Sequence, residues 1–392
     1  MKILVIAPTP FFSDRGTHIR ILEEALALEK RGHEIKIATY HIGSDIAKKF
    51  DTRIEVRRIR RLLFWYKKLE AGPDWQKIIL DLLLLKKTFF LARTWKPDII
   101  HGHLHEGALI GWIVQVCLFW RPTRLVADFH GSLTKEMVSH AYLRVTGLEW
   151  VFRAIERFID SLGDRAVASS WDNAEEINRI RTKNKVMPLP DGTRLSMFEG
   201  LTDTETLRRE YGIPLDKTVV VYTGALIPNK GIRLLFEAIP IVCAKFPDAY
   251  FVIAGFPVDQ ISDYMNRSNY RQYITVISPL PYSDLPKILK MSDIGVDPKQ
   301  SMTRQASGKM LQYMGAGLPV VCFDTENNHE YLSEGGVYAN EMTSEGLAEA
   351  IGRLIRSPWL RQKKGTLSRE RATLFSWEKT AEQAESMYSG LL

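Results

Sequence analysis

The sequence predicts an α/β fold with two doubly wound parallel-sheet domains, and three observations predict it. Short apolar segments alternate with amphipathic segments along both halves of the chain. The composition, 45% hydrophobic and 25% charged, is that of a globular protein that buries real cores. The length of 392 residues exceeds the roughly 250–300 residues at which single cores stop growing. We expect two such sheets to face each other across a cleft and to bind ligands at the carboxyl ends of their strands.

The strand predictions in the first half are ILVIA, IKIATY, DIIHGH and LVADFH, and RILEEALALEKRG between the first two has helical spacing of its apolar residues. In the second half the predicted strands are TVVVYTG, AYFVIAG, YITVIS, DIGVDP and PVVCFD. The segment VMPLPDGTRLSMF, with two prolines and a glycine, separates the halves. We therefore expect domains at residues 1–190 and 191–374.

The net charge of +7 is concentrated early in the chain. The segment RRIRRLLFWYKK, residues 57–68, mixes cations with aromatic and aliphatic side chains, a composition suited to an anionic membrane surface. A basic face over a local apolar cluster is the alternative. Nucleic acid is not expected as a partner, because a basic stripe without a recognised binding module is a weak signal.

The cysteines and the first residues favour a cytoplasmic protein. Cys117, Cys243 and Cys322 lie far apart without a CxxC spacing, which favours a reducing compartment and no metal site. MKILVIAPTP enters a strand pattern directly and lacks the features of a signal peptide. No apolar stretch reaches the roughly 20 residues that a membrane span needs. Any membrane association would then be peripheral, on the inner face.

Two lysines stand where helices begin. In SGKMLQYM, Lys309 lies in the first turn of a helix capped by Ser307, and in GALIPNKG, Lys230 precedes a helix after Gly224. A helix N-terminus carries partial positive charge, so a lysine there is unfavourable unless an anion sits beside it. One shared diphosphate would satisfy both lysines, whereas solvated lysines on helix ends are the alternative.

Other candidate sites are weaker. Gly16 lies in the turn before the first helix, where a ligand could approach the backbone, but the dinucleotide fingerprint G-x-G-x-x-G is absent and hydride transfer is disfavoured. His101, His103 and His105 alternate in HGHLHEG, but we find no carboxylate partner for a metal cluster and expect structural or cleft-lining roles. A hydrolase with paired carboxylates is not supported either.

The ordered set of motifs resembles a retaining glycosyltransferase of family 4 with the GT-B fold, group 1. The matching segments are RGTHIRILEEALALEKRGHEIKIATY, PDIIHGH, DFHGS, YTGALIPNKGIRLLFEAI, MSDIGVDP, GKMLQYMGAGLPVV and FSWEKTAEQAESMY. The resemblance spans nearly the whole chain. It implies a nucleotide-sugar donor, a glycan or lipid-linked acceptor, no metal cofactor, and a last helix in residues 375–392 that returns to the first domain.

The resemblance also implies residue roles. Lys230 matches the phosphate-binding lysine, Lys309 matches a lysine that some members have at this helix start, and His130 matches the histidine near the transferred sugar. A buried, hydrogen-bonded structural histidine is the alternative for His130. The remaining implied donor-binding residues are Gly16, Thr17, Gly224, Ser307 and Gly308.

Three positions depart from the family pattern. Ala225 replaces an arginine, and Arg304 and Gln312 replace two glutamates separated by seven residues. Gln312 can still accept a hydrogen bond from a ribose hydroxyl, whereas Arg304 cannot accept and could instead contact phosphate. The alternative is a catalytically degenerate protein that binds nucleotide or glycan without turnover.

Overall fold

Two separate parallel sheets carry the fold. The computed structural model describes residues 1–69, 74–139, 148–182, 184–266, 271–300 and 307–392. The strands in these ranges are β1 Lys2–Ala7, β2 Glu34–Thr39, β3 Glu55–Arg58, β4 Ile99–His103, β5 Arg124–Phe129, β6 Arg165–Ala168, β7 Met187–Pro188, β8 Thr218–Thr223, β9 Ala249–Ala254, β10 Ile274–Ile277, β11 Ile294–Asp297, β12 Val320–Phe323 and β13 Gly336–Ala339.

Helices follow most of the strands, as right-handed crossovers between parallel strands require. They are α1 Gly16–Lys30, α2 Trp75–Trp95, α3 Leu104–Cys117, α4 Leu133–Ser139, α5 Leu148–Asp160, α6 Trp171–Asn178, α7 Thr204–Glu210, α8 Ile232–Lys245, α9 Ser262–Met265, α10 Leu285–Lys290, α11 Gly308–Gly315, α12 Glu326–Leu332, α13 Ser344–Arg356, α14 Pro358–Ala372 and α15 Trp377–Ser389.

The first unit, Met1–Gly192 with Trp377–Leu392, contains a sheet of order β3-β2-β1-β4-β5-β6-β7. Alternate residues of β1 enter two different cores, because successive side chains of a strand point to opposite faces. Ile3 and Val5 pack with α1 and α15, whereas Leu4 and Ile6 pack with α2 and α3. Helices therefore cover both faces of this sheet.

Helix α15 completes the first of these cores. Its buried residues Trp377, Ala381, Ala384 and Tyr388 pack in the same cluster as β1 and α1. An ion pair from Glu385 to Arg31 reinforces the contact, and His33 Nε2 lies 3.1 Å from the same carboxylate. Residues 377–389 are thus an integral part of the first unit.

The second unit, Thr193–Met302 with Ser307–Ser376, contains a sheet of order β10-β9-β8-β11-β12-β13. Its central strands are fully buried, and every residue of β8 and β9 is apolar, aromatic or threonine. Such continuous apolar runs are typical of parallel strands covered on both faces.

The prediction of two doubly wound parallel-sheet domains is confirmed, and all nine predicted strands are present. Four further strands, β3, β6, β7 and β13, were not predicted, and they have two to four residues each. β3 has the sequence EVRR and lies at the edge of its sheet, so it carries no apolar run. In the described part of the chain, no helix is both long enough and apolar enough to cross a membrane.

Candidate functional site

The order of strands in the second sheet reverses at β8 and β11. β9 and β10 lie on one side of β8, while β11, β12 and β13 lie on the other. Loops that leave the carboxyl ends of two such strands diverge to opposite faces, and this leaves room for a ligand. Gly224 directly follows β8, and Lys309 lies in the first turn of the helix that follows β11. Two separately predicted positions therefore meet at one edge of one sheet.

Lys309 is held inside this edge rather than in solvent. Its side chain is 13% exposed, and its Nζ lies 3.4 Å from Asp297 Oδ1 and 4.0 Å from the centroid of the Tyr222 ring. Burial on its own lowers the pKa of a lysine, but the Tyr222 and Asp297 groups outweigh burial and raise the pKa of Lys309. The site therefore holds a fixed cation, and the alternative of a solvated lysine at this position is wrong.

Asp297, the last residue of β11, organises the start of α11. The Ser307 hydroxyl donates to one carboxylate oxygen, and Lys309 pairs with the other. Burial favours a protonated Asp297, but Lys309 and the Ser307 hydroxyl hold its pKa below the usual value. The predicted capping role of Ser307 is wrong in one respect: Ser307 occupies the cap position, but its hydroxyl bonds Asp297 and makes no capping hydrogen bond. The Ser307 side chain thus does not occupy the first amide groups of α11.

Glycines bring the loops after β8 and β11 into close contact. Gly231 has φ +75°, and a Cβ atom there would lie 1.9 Å from the Pro298 carbonyl oxygen. Gly224 has φ +123°, and a Cβ atom there would lie 3.4 Å from Lys309 Cε. Lys230 ends the 3-10 turn that immediately precedes Gly231. Lys230 and Lys309 therefore belong to two loops that the backbone holds together.

Gln312 lies on the buried side of α11. Its Oε1 atom accepts a hydrogen bond of 3.2 Å from the Thr193 hydroxyl. The oxygen that was expected to receive a ribose hydroxyl thus already accepts one hydrogen bond within the second unit, of the two that an amide oxygen can accept. Gly308 is the first residue of α11, and the half-buried Ala225 accepts a hydrogen bond from Tyr222 through its carbonyl. Arg304 lies outside the described residues.

The strand order of the first sheet reverses between β1 and β4. Gly16 and Thr17 open α1, the helix that follows β1, and Gly16 is exposed. Among the described residues, no atom would lie within 4 Å of a Cβ atom on Gly16. Crowding within the chain therefore does not explain this glycine, and the space outside its backbone is open to a ligand.

His130 follows β5 and contacts a buried group of polar side chains. Its Nε2 atom lies 3.2 Å from His103 Nδ1 and 3.5 Å from Asp128 Oδ2. Asp128 also receives the Arg20 guanidinium, with Nε donating to Oδ2 at 3.0 Å and Nη2 to Oδ1 at 3.2 Å. His101 stacks on His103, with ring centroids 4.4 Å apart. We call Arg20, His101, His103, Asp128 and His130 the histidine cluster.

The charges of the histidine cluster follow from burial and from Arg20. Burial favours a protonated Asp128, but Arg20 and His130 hold its pKa well below the usual value. Burial and then His101 lower the pKa of His103 to about 3. At neutral pH the cluster thus contains an ionised Asp128 and a neutral His103.

The expectation that the histidines have no carboxylate partners is wrong. His101 Nδ1 lies 3.5 Å from Glu24 Oε1, and these two residues, His103 and Asp128 each offer one potential ligand atom within 4.8 Å of the others. The Arg20 cation already occupies Asp128, however, and two positive charges at one carboxylate would repel each other. These contacts support the structural role expected for these histidines.

His105 forms a second buried group. Its Nε2 atom lies 3.3 Å from Asp160 Oδ1 and 3.9 Å from Glu156 Oε1. Glu156 in turn accepts hydrogen bonds from the backbone amide and hydroxyl of Thr134. Burial opposes the charged imidazole, but Asp160 and Glu156 raise the pKa of His105. The group joins α3, α4 and α5 through an ion pair.

Comparison with known families covers both units. The model described as Glycosyltransferase Family 4 matches residues 15–196, and the model described as Glycosyl transferases group 1 matches residues 217–357. The chain belongs to the family 4, group 1 glycosyltransferases. A relative of this glycosyltransferase, the D-inositol 3-phosphate glycosyltransferase of Corynebacterium glutamicum (strain R), is 24% identical over 314 residues, which are 74% of this chain and 72% of the relative.

Solved structures share the fold of the glycosyltransferase. Sucrose-phosphate synthase from Thermosynechococcus elongatus superposes with a TM-score of 0.79 at 17% identity, over 100% of this chain and 98% of the other. HepE from Anabaena in complex with UDP-glucose superposes with a TM-score of 0.75 at 16% identity, over 99% and 100%. At these identities the likeness concerns the fold, and it confirms the predicted GT-B class.

Several residues that shape these sites in the glycosyltransferase were missed from the sequence. Asp297 lies inside the predicted strand DIGVDP, where an acid at a strand end could have signalled a partner for Lys309. Arg20 lies among the apolar positions of α1, and that placement could have indicated a buried charge. Tyr222 gave no signal, because an aromatic residue in a buried strand is ordinary.

Proposed function

We propose that this glycosyltransferase transfers a sugar from a nucleoside diphosphate sugar to a hydroxyl acceptor, with retention of the anomeric configuration and without a metal ion. The observation that carries the proposal is the fixed Lys309 cation beside Gly224, at the edge where the strand order of the second sheet reverses. A nucleoside diphosphate presents negative charge to such an edge, and α11 offers backbone amides there.

The proposed chemistry asks the protein to stabilise charge on the leaving group. The acceptor oxygen bonds the anomeric carbon on the face from which the diphosphate departs. The bond from that carbon to the diphosphate oxygen breaks, and the hydroxyl proton passes to a diphosphate oxygen. Negative charge grows on the diphosphate during this step, and Lys309 and Lys230 would oppose it. His130 would contact the transferred sugar.

Pre-organisation supports the role of Lys309. Asp297 and the Tyr222 ring hold the ammonium group before any donor arrives, so little reorganisation is needed when charge develops. Lysine cations can supply the positive charge that a divalent ion supplies in other transferases. This supports metal-independent transfer, and EDTA tests it.

The acceptor proposed here is a lipid-linked or surface-glycan precursor, reached from the cytoplasmic face of a membrane. The support is the composition of residues 57–68 and the exposed aromatic side chains near them, among which Phe64 and Trp65 are more than half exposed. An acceptor that is anchored in a bilayer would require the enzyme to work at the bilayer surface.

A second candidate is a protein that binds nucleotide without turnover. It is favoured by Gln312, which stands where the family has an acid and whose Oε1 is bonded to Thr193. Under this alternative Lys309 would still hold the diphosphate, but the ribose and sugar would lack the carboxylate partner that the family pattern provides.

Thermal-shift measurements against UDP, GDP, ADP and their common sugar conjugates, with and without EDTA, test the proposal. UDP-glucose is the first donor to try, because it is bound in the HepE structure. A shift with one nucleotide that EDTA does not change supports the proposal, because a ligand of the folded state alone raises stability. No shift with any nucleotide would contradict both candidates.

Transfer assays then separate the two candidates. Lys230→Ala should abolish transfer while the thermal midpoint of the free protein stays close to that of the wild type, and unchanged transfer would refute the phosphate role. A wild-type protein that shifts with a nucleotide but neither hydrolyses nor transfers its sugar would favour binding without turnover.

A further inference from the structure

Helix α2 exposes a row of large apolar side chains to solvent. Trp75, Ile78, Leu82 and Phe90 are between 51% and 68% exposed, and the first three lie on the side of the helix opposite the buried Leu80. A surface helix of a globular protein normally turns polar residues to water and its apolar stripe to the core. Helix α2 has apolar residues on both sides, and the outer ones lack a covering element in the described structure.

The charges of α2 have one sign toward solvent. Of its four cations, Lys86 and Arg93 are exposed, whereas Lys77 and Lys87 are half-buried. Its single acid, Asp81, accepts a hydrogen bond of 2.5 Å from the Tyr40 hydroxyl and is therefore turned toward the protein. The outer side of the helix thus combines apolar and basic residues without an acid.

The segment before α2 extends this surface. Leu63 and Tyr66 anchor it in the same core as Leu80 of α2, and Leu62, Phe64 and Trp65 project outward. Trp65 Nε1 donates a hydrogen bond of 3.0 Å to Gln76 Oε1, which joins the segment to the first turn of the helix. We call these apolar residues, Leu62, Phe64, Trp65, Trp75, Ile78 and Leu82, together with the exposed cations Arg60, Arg61, Lys86 and Arg93, the aromatic-basic face.

The structure also limits which cations take part. The Arg58 guanidinium donates to the carbonyl oxygens of Ile42 and Ser44, and Arg57 pairs with Glu55 in β3. These contacts assign both arginines to the sheet. Arg60 and Arg61, which are exposed, stand next to Leu62 instead. The proposed membrane-binding surface therefore excludes Arg57 and Arg58 from the predicted segment, residues 57–68, and includes the outer side of α2.

We infer that the aromatic-basic face binds the surface of an anionic lipid bilayer, with its aromatic side chains at the level of the headgroups. Charge complementarity identifies this partner: the face is basic and lacks exposed acids within α2, as suits a uniformly negative surface. Tryptophan and leucine on one side with cations beside them are typical of structures that lie in a bilayer interface. The link to a lipid-linked acceptor rests on the proposed function, whereas the binding surface itself does not.

Vesicle flotation with the full chain tests the inference without any sugar donor. The probes are vesicles of phosphatidylcholine alone and of phosphatidylcholine with 30% phosphatidylglycerol, each at low and high NaCl. We expect binding to the anionic vesicles at low salt and much weaker binding in the other three conditions, because salt screens the attraction. Equal binding to both vesicle types would overturn the selectivity for anionic lipid.

Two sets of variants test the residues. Arg60→Gln combined with Arg61→Gln should weaken binding to anionic vesicles about twenty-five-fold, at roughly five-fold for each cation. Trp75→Ser combined with Leu82→Ser should weaken it at least about ten-fold, through the lost apolar contact. The matched control is Trp359→Ser: Trp359 is a similarly exposed tryptophan beside a lysine, on α14 of the second unit, and binding should not change.

Donor binding separates this inference from the proposed function. All these variants should keep the thermal shift with nucleotide that the wild type shows, because none lies at the edge of the second sheet. A protein that binds nucleotide but no vesicles refutes the membrane surface and leaves the proposed function standing. A protein that floats with anionic vesicles but binds no nucleotide supports the membrane surface and refutes the proposed function. Self-association that Trp75→Ser with Leu82→Ser abolishes, without vesicle binding, would assign the face to a contact between copies of the chain.

Discussion

Replacing Lys309 by methionine should destabilise the second unit far more than the loss of a surface lysine would. Its Nζ and Asp297 Oδ1 are 3.4 Å apart, and Asp297 is almost fully buried. At an effective dielectric constant of about 20, the attraction at this distance is about 5 kcal/mol. Desolvation offsets part of it in the pair, but removing one partner leaves the other charge buried, which costs about 3–5 kcal/mol.

The reasoning predicts coupling between the two residues. Lys309→Met should lower the thermal midpoint by about 6–20 °C, since about 2–4 °C correspond to each kcal/mol in a unit of this size. Adding Asp297→Asn to Lys309→Met should restore at least half of the loss, because the buried carboxylate is then gone. Differential scanning calorimetry of the wild type, both single variants and the double variant gives the coupling.

A surface ion pair of the same length provides the control. Lys287 Nζ lies 3.4 Å from Asp284 Oδ1, but both side chains are exposed. Lys287→Met should leave the midpoint almost unchanged, because solvent screens that pair. Equal losses for Lys309→Met and Lys287→Met, or a double variant no better than Lys309→Met alone, would refute the view that burial makes the Lys309 contact strong.

Three further predictions concern backbone contact, the last helix and pH. Gly231→Ala should lower both the thermal midpoint and nucleotide binding, because its Cβ atom would force the Pro298 carbonyl away; unchanged binding would argue against the close loops. Tyr388→Phe should cost about 1–3 kcal/mol in urea unfolding, because the buried His101 Nδ1 loses a hydrogen bond of 2.7 Å. The pKa of His103, lowered to about 3, implies a contribution to stability that is complete above about pH 6.5 and falls by about 1.4 kcal/mol per pH unit as the pH drops toward about 3. The pKa of His18 is lowered to about 3 as well, so His103→Gln should reduce, and not abolish, the pH dependence of urea midpoints measured from pH 7 to 4.

The fold was predictable because buried parallel strands have a recognisable sequence pattern. Each long central strand is a run of β-branched and apolar residues, and hydrophobic runs can be read without knowing what covers them. Edge strands gave no such signal: Glu55–Arg58 is held by pairing with β2 rather than by its own composition. Local sequence therefore specified the centres of both sheets better than their edges.

The candidate sites were predictable in part. Lys309 stood out because a lysine at a helix start conflicts with the helix dipole, a local conflict that sequence can reveal. Its partner Asp297 could not be inferred with the same security, since the pairing depends on how β11 and α11 pack. The histidine cluster shows the same limit more strongly: Arg20 and Asp128 are 108 positions apart in the chain, and their contact is purely tertiary.

The position of α15 has a consequence for synthesis of the protein. The core under β1 and α1 includes Trp377 and Tyr388, so the first unit lacks part of its interior until α15 has left the ribosome. The second unit has all its residues by Ser376. The half that is translated later can therefore complete its fold first, while the earlier half waits with an apolar surface uncovered, the state in which nascent chains are prone to aggregate.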